Sequence, residues 1–501
     1  MAKPLFHRID FGNEAGDDVD PAELTTYFVE QDLFNDMLDR KKKIAVAVAK
    51  KGVGKSALIQ WLSHQVKVKH PDSLVVKCRG ADVTRSQFNL QTKLESPNDY
   101  IRDWMIRICA IANRRLASEF DIALTDDRMT LVETAELDGF KQKNLVSALT
   151  SRFTKILDKF SPTPSKAVNE VELLKRLEPR DLWILIDDLD ATFQNTPEEC
   201  LAISTFFSAC RYLAQDVKGL VVRVTMRANV WAVIRRFDES LDKLDQYVHE
   251  IKWQESDFRR LLYRRIMSQI DELQIPHPTI HTRDTQAQIE EKYINLVFVP
   301  TVEWGDKKIH IYQLIYTLSY HRPRWAIQLC KLMQKEAVRG SDTLLTRGHV
   351  DAVWGDYGLK RIADLVAEHK HQCKQVEELI NGFRGAEREM SRDKLIVWIK
   401  NHITNHVNPF INGIAITTPL EVAHLLYEIG FIVARSDFSG GYEHYSFEIM
   451  PDFLSSRTND DFGMSWEIHP CYREALDIVK LNTAKKDKMV RDRRAAKHRM
   501  Q

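Results

Sequence analysis

The segment Ala49-Lys50-Lys51-Gly52-Val53-Gly54-Lys55-Ser56-Ala57 has the residue types and spacing that hold a nucleoside triphosphate. Glycines at 52 and 54 let backbone N–H groups come close to phosphate oxygens, and a helix opening at Lys55 adds the positive end of its dipole. Lys55 is placed to reach the β- and γ-phosphates, and the Ser56 hydroxyl suits Mg²⁺. The backbone of Ala49, Lys51, Val53 and Ala57 completes the cradle. The strict form of such a loop begins with glycine; Ala49 stands there in this chain, a common variant. A Gly-Lys-Ser tripeptide alone is a weak signal. Set between an alternating apolar run and an apolar-periodic segment, it is a strong one.

The second chemical set is Trp183 to Asp190, WILIDDLD. Its apolar residues deliver Asp187 and Asp188 to the carboxyl end of a buried strand, where α/β sheets place ligand groups. Adjacent carboxylates there are costly without a balancing cation. With a phosphate loop upstream, Asp187 is expected to hold Mg²⁺, mostly through water, and Asp188 to polarise or orient the attacking water. The competing reading makes Asp188 a helix cap or a solvated side chain. Glutamate is usual at this second position, so the shorter aspartate predicts slow hydrolysis or help from a neighbouring subunit. Asp190 reads as the cap of the next helix.

Three further groups are candidates with a plain alternative each. Thr225, Arg227 and Asn229 leave the strand Leu220 to Met226 within reach of a γ-phosphate, though Arg227 equally suits a structural ion pair. Arg235 and Arg236 suit arginine fingers acting on a neighbouring subunit, or a solvated helix face. Arg322-Pro323-Arg324 opens the amphipathic segment Trp325 to Met333. Either arginine suits a nucleotide phosphate across a domain boundary, against a proline-started helix with surface arginines. His and Cys residues show no metal-ligand spacing, and Ser and His residues show no nucleophile elbow.

These groups need a sheet to hold them. Ile44 to Ala49, Ser73 to Lys77, Leu182 to Ile186 and Leu220 to Thr225 read as buried strands alternating with helical patterns, which means a mostly parallel α/β sheet. Pro21 starts a helical pattern through Met37, Lys55 to about Val68 is the phosphate-loop helix, and Pro97 opens another through Leu116. Ser161-Pro162-Thr163-Pro164 is a linker. From Ser256 the pattern is helical. Between about 392 and 477 come two helical patterns (Lys394 to His402, Pro419 to Gly430), a strand Phe431 to Arg435, a Gly440-Gly441 turn and a strand Tyr445 to Ile449, the order of a winged helix. The expected domains are an N-terminal segment 1–40, an ATPase core 41–255 with a helical insertion about 96–160, a helical lid 256–390, a winged-helix-like module 391–478 and a basic tail 479–501.

Composition narrows the class. Hydrophobic residues at 44% and charged ones at 29% describe a soluble protein with real cores. A net charge of +1 argues neither for nor against nucleic acid. Seven dispersed cysteines without a CxxC pair read as reduced thiols of a cytoplasmic protein, not as a disulfide or zinc framework. The opening MAKPLFHRIDFGNEAGDD does not suit a signal peptide, and no apolar run approaches the ~20 residues of a membrane span, so no membrane partner is expected.

FGNEAG, YFVEQDLF, AKKGVGKSAL, WILIDDLD, MRANVW, HRPRWAIQL and IHPCYREAL occur in that order. Together they resemble bacterial P-loop ATPases related to the KAP and STAND branches and to AAA+ proteins, from about residue 9 to about 478. The resemblance implies an ASCE-type sheet, a helical lid, a winged-helix module, and ATP-controlled assembly into a homo-oligomer. It also implies a switch role in anti-phage defence, and places Phe11, Asn13, Tyr27 and Phe28 near the nucleotide base. The membrane-spanning insertion of many KAP proteins is missing here. No nuclease, TIR or protease domain is visible, so a separate effector protein is expected.

The leading expectation is therefore an ATP- and Mg²⁺-dependent switch that hydrolyses slowly and regulates a partner. The alternative is a DNA-binding ATPase that uses the winged helix and the basic tail, although Pro419 to Gly430 lacks the Lys and Arg of a groove-reading helix. A third reading is a nucleotide-binding scaffold that never hydrolyses.

Overall fold

The computed structural model describes residues 4–478 except 15, 86–95, 120–180, 192, 194–195, 306, 417, 439–440, 448, 456–460 and 462. The Ser161–Pro164 linker, most of the 96–160 insertion, Gly440 and the basic tail lie outside the described residues. Two compact units are present: Asn13–Trp253, and Met1–Gly12 with Gln254–Gln501.

In the Asn13–Trp253 unit, β1 (Ile44–Ala49), β2 (Leu74–Arg79), β3 (Leu182–Asp187), β4 (Leu220–Arg227) and β5 (Val248–Glu250) pair in parallel, in the order β2-β3-β4-β1-β5. The four strands expected from the apolar runs are all present, and β5 is an addition. Strands buried on both faces read as near-continuous apolar runs, which is why β1, β3 and β4 were legible. Alternation still decides what lies on each face. Ile44, Val46 and Val48 of β1 join Ile184, Val222, Phe206 and Trp231 in one core. Ala45, Ala47 and Ala49 face the other way, beneath Leu58, Ile59 and Leu62 of the phosphate-loop helix Lys55–Lys69. Small residues on that face let the helix lie close to the sheet. The helical pattern from Pro21 to Met37 is two helices, Pro21–Tyr27 and Leu33–Leu38. The second is tied to the sheet by fully buried Arg223, which donates to the carbonyls of Met37 (2.5 Å) and Asp39 (2.8 Å) and lies over the Trp183 ring.

The strand order has a direct chemical consequence. β4 lies between β1 and β3, so the carboxyl ends of all three are neighbours. This is the ASCE arrangement, and the unit has the α/β P-loop NTPase fold.

The second unit opens with residues 4–12, whose Phe6, Ile9 and Phe11 are buried. Gln334 donates its amide to the carbonyls of Phe6 and Ile9, and Arg265 donates to that of Phe11. The helices Glu255–Ile270, Gln286–Ile294, Ile311–Leu318, Pro323–Ala337 and Arg347–His369 follow, with a hairpin of β6 (Thr301–Trp304) and β7 (Lys307–His310). Then come a short helix Val376–Asn381, β8 (Glu389–Ser391), the helix Arg392–Ile399, a hairpin of β9 (Phe410–Ile411) and β10 (Ile414–Ala415), and the helix Pro419–Glu428. β11 (Ile432–Phe438), β12 (Gly441–Tyr445) and β13 (Ser465–Ile468) complete an antiparallel sheet in the order β12-β11-β13-β8. Helix, strand, helix, helix and strands make the winged-helix-like module expected.

One strand corrects the expectation. Tyr445–Ile449 was expected as the return strand, but pairing ends at Tyr445. The N–H groups of Ile449 and Met450 both donate to the Ser446 carbonyl in a turn. The register is held instead by His444, which stands opposite Arg435 and reaches Glu467 on β13. Among the described residues no helix is long and apolar enough to cross a membrane.

Candidate functional site

The phosphate loop is built by its two glycines. Gly52 and Gly54 have φ of 80° and 112°, a region that L side chains rarely enter. A Cβ at Gly54 would meet nothing within 4 Å, so the backbone conformation, not crowding, calls for glycine there. No side chain caps the helix that starts at Lys55, which leaves its first-turn N–H groups for a ligand. The Trp253 indole N–H holds the loop from behind, donating to the Val53 carbonyl at 2.9 Å. Gly16 abuts the first helical turn so closely that a Cβ would lie 2.6 Å from that of Ala57. Lys55 is only 7% exposed, with Nζ 3.5 Å from Asp188 Oδ1.

Thr225 organises the two carboxylates. Its hydroxyl donates to Asp187 Oδ1 at 2.6 Å and accepts the Asp188 N–H at 3.0 Å, while its carbonyl accepts from Leu189 N. Thr225 is fully buried, so it acts here by positioning Asp187 and the Asp188 backbone. Asp188 has φ of 48°, in the left-handed region. Burial pushes its carboxyl above the ordinary aspartate range; Lys55 offsets this in part, and Asp187 and Asp190 add to it. A raised carboxyl beside a phosphate loop suits a proton acceptor for water.

Gly80 is the support that sequence reading missed. A Cβ there would lie 2.4 Å from the Asp188 carbonyl oxygen and from the Leu189 Cα. Nothing in the run KCRGAD signals that approach, because it comes from packing between chain segments. Gly80→Ala is therefore expected to displace Asp188. We expect ATP turnover to fall by up to about 10²-fold, the scale of a misplacement near 1 Å, with nucleotide affinity nearly kept. Titration with a fluorescent ATP analogue beside a phosphate-release assay separates the two quantities.

The remaining candidates divide. Arg227 realises its ion-pair alternative: Nε meets Asp190 Oδ2 at 2.5 Å and Nη2 donates to the Asp190 carbonyl. Asp190 also accepts the Arg227 N–H, so it does not cap the next helix. That helix, Pro197–Asp216, is capped by Thr196 in a box with Glu199. Asn229 has a buried side-chain nitrogen with no hydrogen-bond partner among the described residues. Arg235 pairs with Asp245 at 2.6 Å and lies 3.9 Å from Asp242; the Arg236 side chain lies outside the description. Asn13, Tyr27 and Phe28 belong to the Asn13–Trp253 unit, where Phe28 stacks on Trp61 at 5.1 Å. Phe11, Arg322 and Arg324 belong to the second unit. There Phe11 packs on Phe298. Arg322 is not a surface arginine: it is buried, paired with Glu368 at 2.7 Å, and lies over the Trp325 ring. Arg324 makes no ion pair among the described residues, which leaves it the more accessible of the two.

A nucleotide and its metal fit these residues. The uncapped helix start, Lys55 and the Ser56 hydroxyl suit phosphates and Mg²⁺, with Asp187 held by Thr225 as the second metal-side group. Among the described residues no group of three or more His, Cys, Asp or Glu is arranged to hold a metal. A cation here would depend on Ser56, Asp187, water and the phosphates themselves.

Fold and strand order together give the Asn13–Trp253 unit the α/β P-loop NTPase architecture with the ASCE arrangement. No protein-family model matches the chain, and no curated protein matches it. Among solved structures it is similar to the Aeropyrum pernix ORC2 protein in ADPNP–ADP complexes, at 11% identity and a TM-score of 0.40, over 94% of this chain and 95% of that one. It is also similar to Cdc6p from Pyrobaculum aerophilum, at 11% identity and a TM-score of 0.31, over 93% and 99%. C. elegans PCH-2 follows, at 9% identity and a TM-score of 0.25, over 71% of each chain. Similarities this distant leave function to the chain's own geometry.

Proposed function

We propose that the chain is an ATP-binding switch that hydrolyses slowly, assembles into a homo-oligomer with ATP bound, and regulates a separate partner protein. The observation that carries this reading is the convergence of Lys55, Asp187, Asp188 and Thr225 at the neighbouring ends of β1, β3 and β4. In this mechanism the helix N-terminus and Lys55 bind the phosphates; Ser56 and Asp187 would hold Mg²⁺, which would supply charge neutralisation at the phosphoryl oxygens. Asp188 leaves Lys55 when phosphate takes the ammonium, and its carboxylate then accepts a proton from the attacking water. A short side chain on a left-handed backbone reaches that water less well than glutamate would, which supports slow turnover. The motif resemblance supports setting this switch in anti-phage defence.

Lys55→Ala tests the reading. Charge-assisted hydrogen bonds of about 1.5–3 kcal/mol are lost, so ATP affinity is expected to fall roughly 10- to 150-fold. Mass photometry should show ATP·Mg²⁺ shifting the wild type to larger species and leaving the variant unchanged. A variant that assembles like wild type would overturn the proposal.

A further inference from the structure

The winged-helix-like module carries an element that the switch does not use. After the helix Arg392–Ile399 the chain makes a π-helical turn, Lys400–Thr404, and then the β9–β10 hairpin. Asn412 and Gly413 both have positive φ, 51° and 81°, as a tight two-residue Asn-Gly turn requires. The hairpin is tied down along β9. Asn412 N donates to the Gln372 carbonyl at 2.8 Å, Ile411 bridges Cys373, and Phe410 N donates to Gln375 Oε1. Ile411 pairs with Ile414 and Phe410 with Ala415, so Phe410 and Ile414 project from opposite faces. Both are nonetheless open to solvent, at 48% and 68% exposure. A flat docking surface gathers its large side chains on one face. These two diverge, as on a wedge.

Charge indicates what the wedge enters. Residues 369–375 (HKHQCKQ) and 400–418 (KNHITNHVNPFINGIAITT), joined by the hairpin contacts, contain no Asp or Glu, although 71 of the 501 residues are acidic. Lys370, Lys374 and Lys400 are exposed, as are Asn401, Asn405, Asn408 and Asn412. The surfaces a winged helix ordinarily offers differ. The helix Pro419–Glu428 carries Glu421 and Glu428 with no Lys or Arg, and in the β11–β12 wing Asp437 and Glu443 stand against one Arg435, whose guanidinium is already held by Asp437 and Glu467.

We infer that the β9–β10 hairpin is a duplex-DNA contact that enters the minor groove. Phe410 and Ile414 are its apolar wedges, Asn412 is at its tip, and Lys370, Lys374 and Lys400 lie on flanking phosphates. Apolar side chains partly unstack base steps in minor-groove binding, and lysines release condensed counterions. This inference does not depend on the triphosphate site.

Fluorescence anisotropy of the full-length chain with a short labelled duplex, at several salt concentrations, tests it. Phe410→Ser with Ile414→Ser should weaken binding about tenfold at constant salt, while the thermal midpoint holds because both side chains are already exposed. Lys370→Ala, Lys374→Ala and Lys400→Ala together should reduce the log–log salt slope by roughly three. Unchanged duplex binding in the serine variant overturns the inference. So does a loss confined to phosphatidylserine vesicles, or one confined to the mass distribution of the protein, since those assign the hairpin to a lipid surface or a protein partner.

Discussion

Asp188→Asn is expected to lower ATP turnover by about 10²- to 10⁴-fold while ATP·Mg²⁺ binds at least as tightly as to the wild type. That range is what a positioned proton acceptor contributes. Binding survives because Lys55, Ser56, Asp187 and the helix N-terminus are untouched, and because a negative charge beside the phosphates is removed. The backbone tolerates the change, since asparagine enters the left-handed region that Asp188 occupies more readily than most residues. The pH dependence is a second readout. Burial raises the Asp188 carboxyl, so in the wild type kcat/KM should climb with pH through a limb above the ordinary aspartate range. In the variant that limb should vanish. If Asp188 is only a cap or a solvated group, the rate stays within about twofold and both profiles match. The assembly seen with ATP should persist in the variant, which separates binding from hydrolysis.

Glu467→Ala is expected to destabilise the second unit strongly. Glu467 is fully buried on β13, with Arg435 Nη1 at 2.7 Å, Arg473 Nη2 at 2.8 Å, His444 Nε2 at 3.0 Å and Arg388 Nε at 3.6 Å. One carboxylate thus joins β11, β12 and the segment after β13. Removing it leaves buried Arg473 without its carboxylate, and breaking such a pair costs about 3–5 kcal/mol. The thermal midpoint of that unit should fall by on the order of 10 °C. Burial alone would raise the Glu467 carboxyl, but the His444 hydrogen bond and the Arg473 and Arg388 charges overrule it and hold it well below the ordinary range. A depressed carboxyl stabilises the fold above its unfolded value of about 4.3, and that contribution is lost as pH falls. Wild-type midpoints should therefore begin to drop below about pH 5 and keep falling past about pH 3, and Glu467→Gln should flatten the curve. Parallel curves would show that the hub does not hold the module.

Local chemistry made the phosphate loop, β3, β4 and the second unit's helices legible. Buried parallel strands read as near-continuous apolar runs, and Gly52 and Gly54 announce a backbone that only glycine adopts easily. What escaped depends on distance along the chain. Asp190 reads as a helix cap until Arg227 is folded against it, and Arg322 reads as a phosphate contact or a surface arginine until Glu368 arrives. The β12 register was misread because GYEHY and YSFEI alternate almost equally well; Glu467 decides between them through His444. Trp253 and Gly80 carried no local signal, since one acts through an indole reaching back to Val53 and the other through a side chain it lacks.

The placement of residues 4–12 bears on how the protein is made. Phe6, Ile9 and Phe11 complete a core whose other half begins at Gln254, and Gln334 lies 328 positions from the Phe6 carbonyl it grips. At about 5–20 residues per second, the ribosome needs roughly a quarter-minute to a minute to reach it. The Asn13–Trp253 segment, contiguous in sequence, can finish folding within that interval. The three apolar side chains ahead of it cannot. They remain in the nascent chain as an unsatisfied hydrophobic stretch until the second unit is made, and that interval is when a holdase chaperone would meet them.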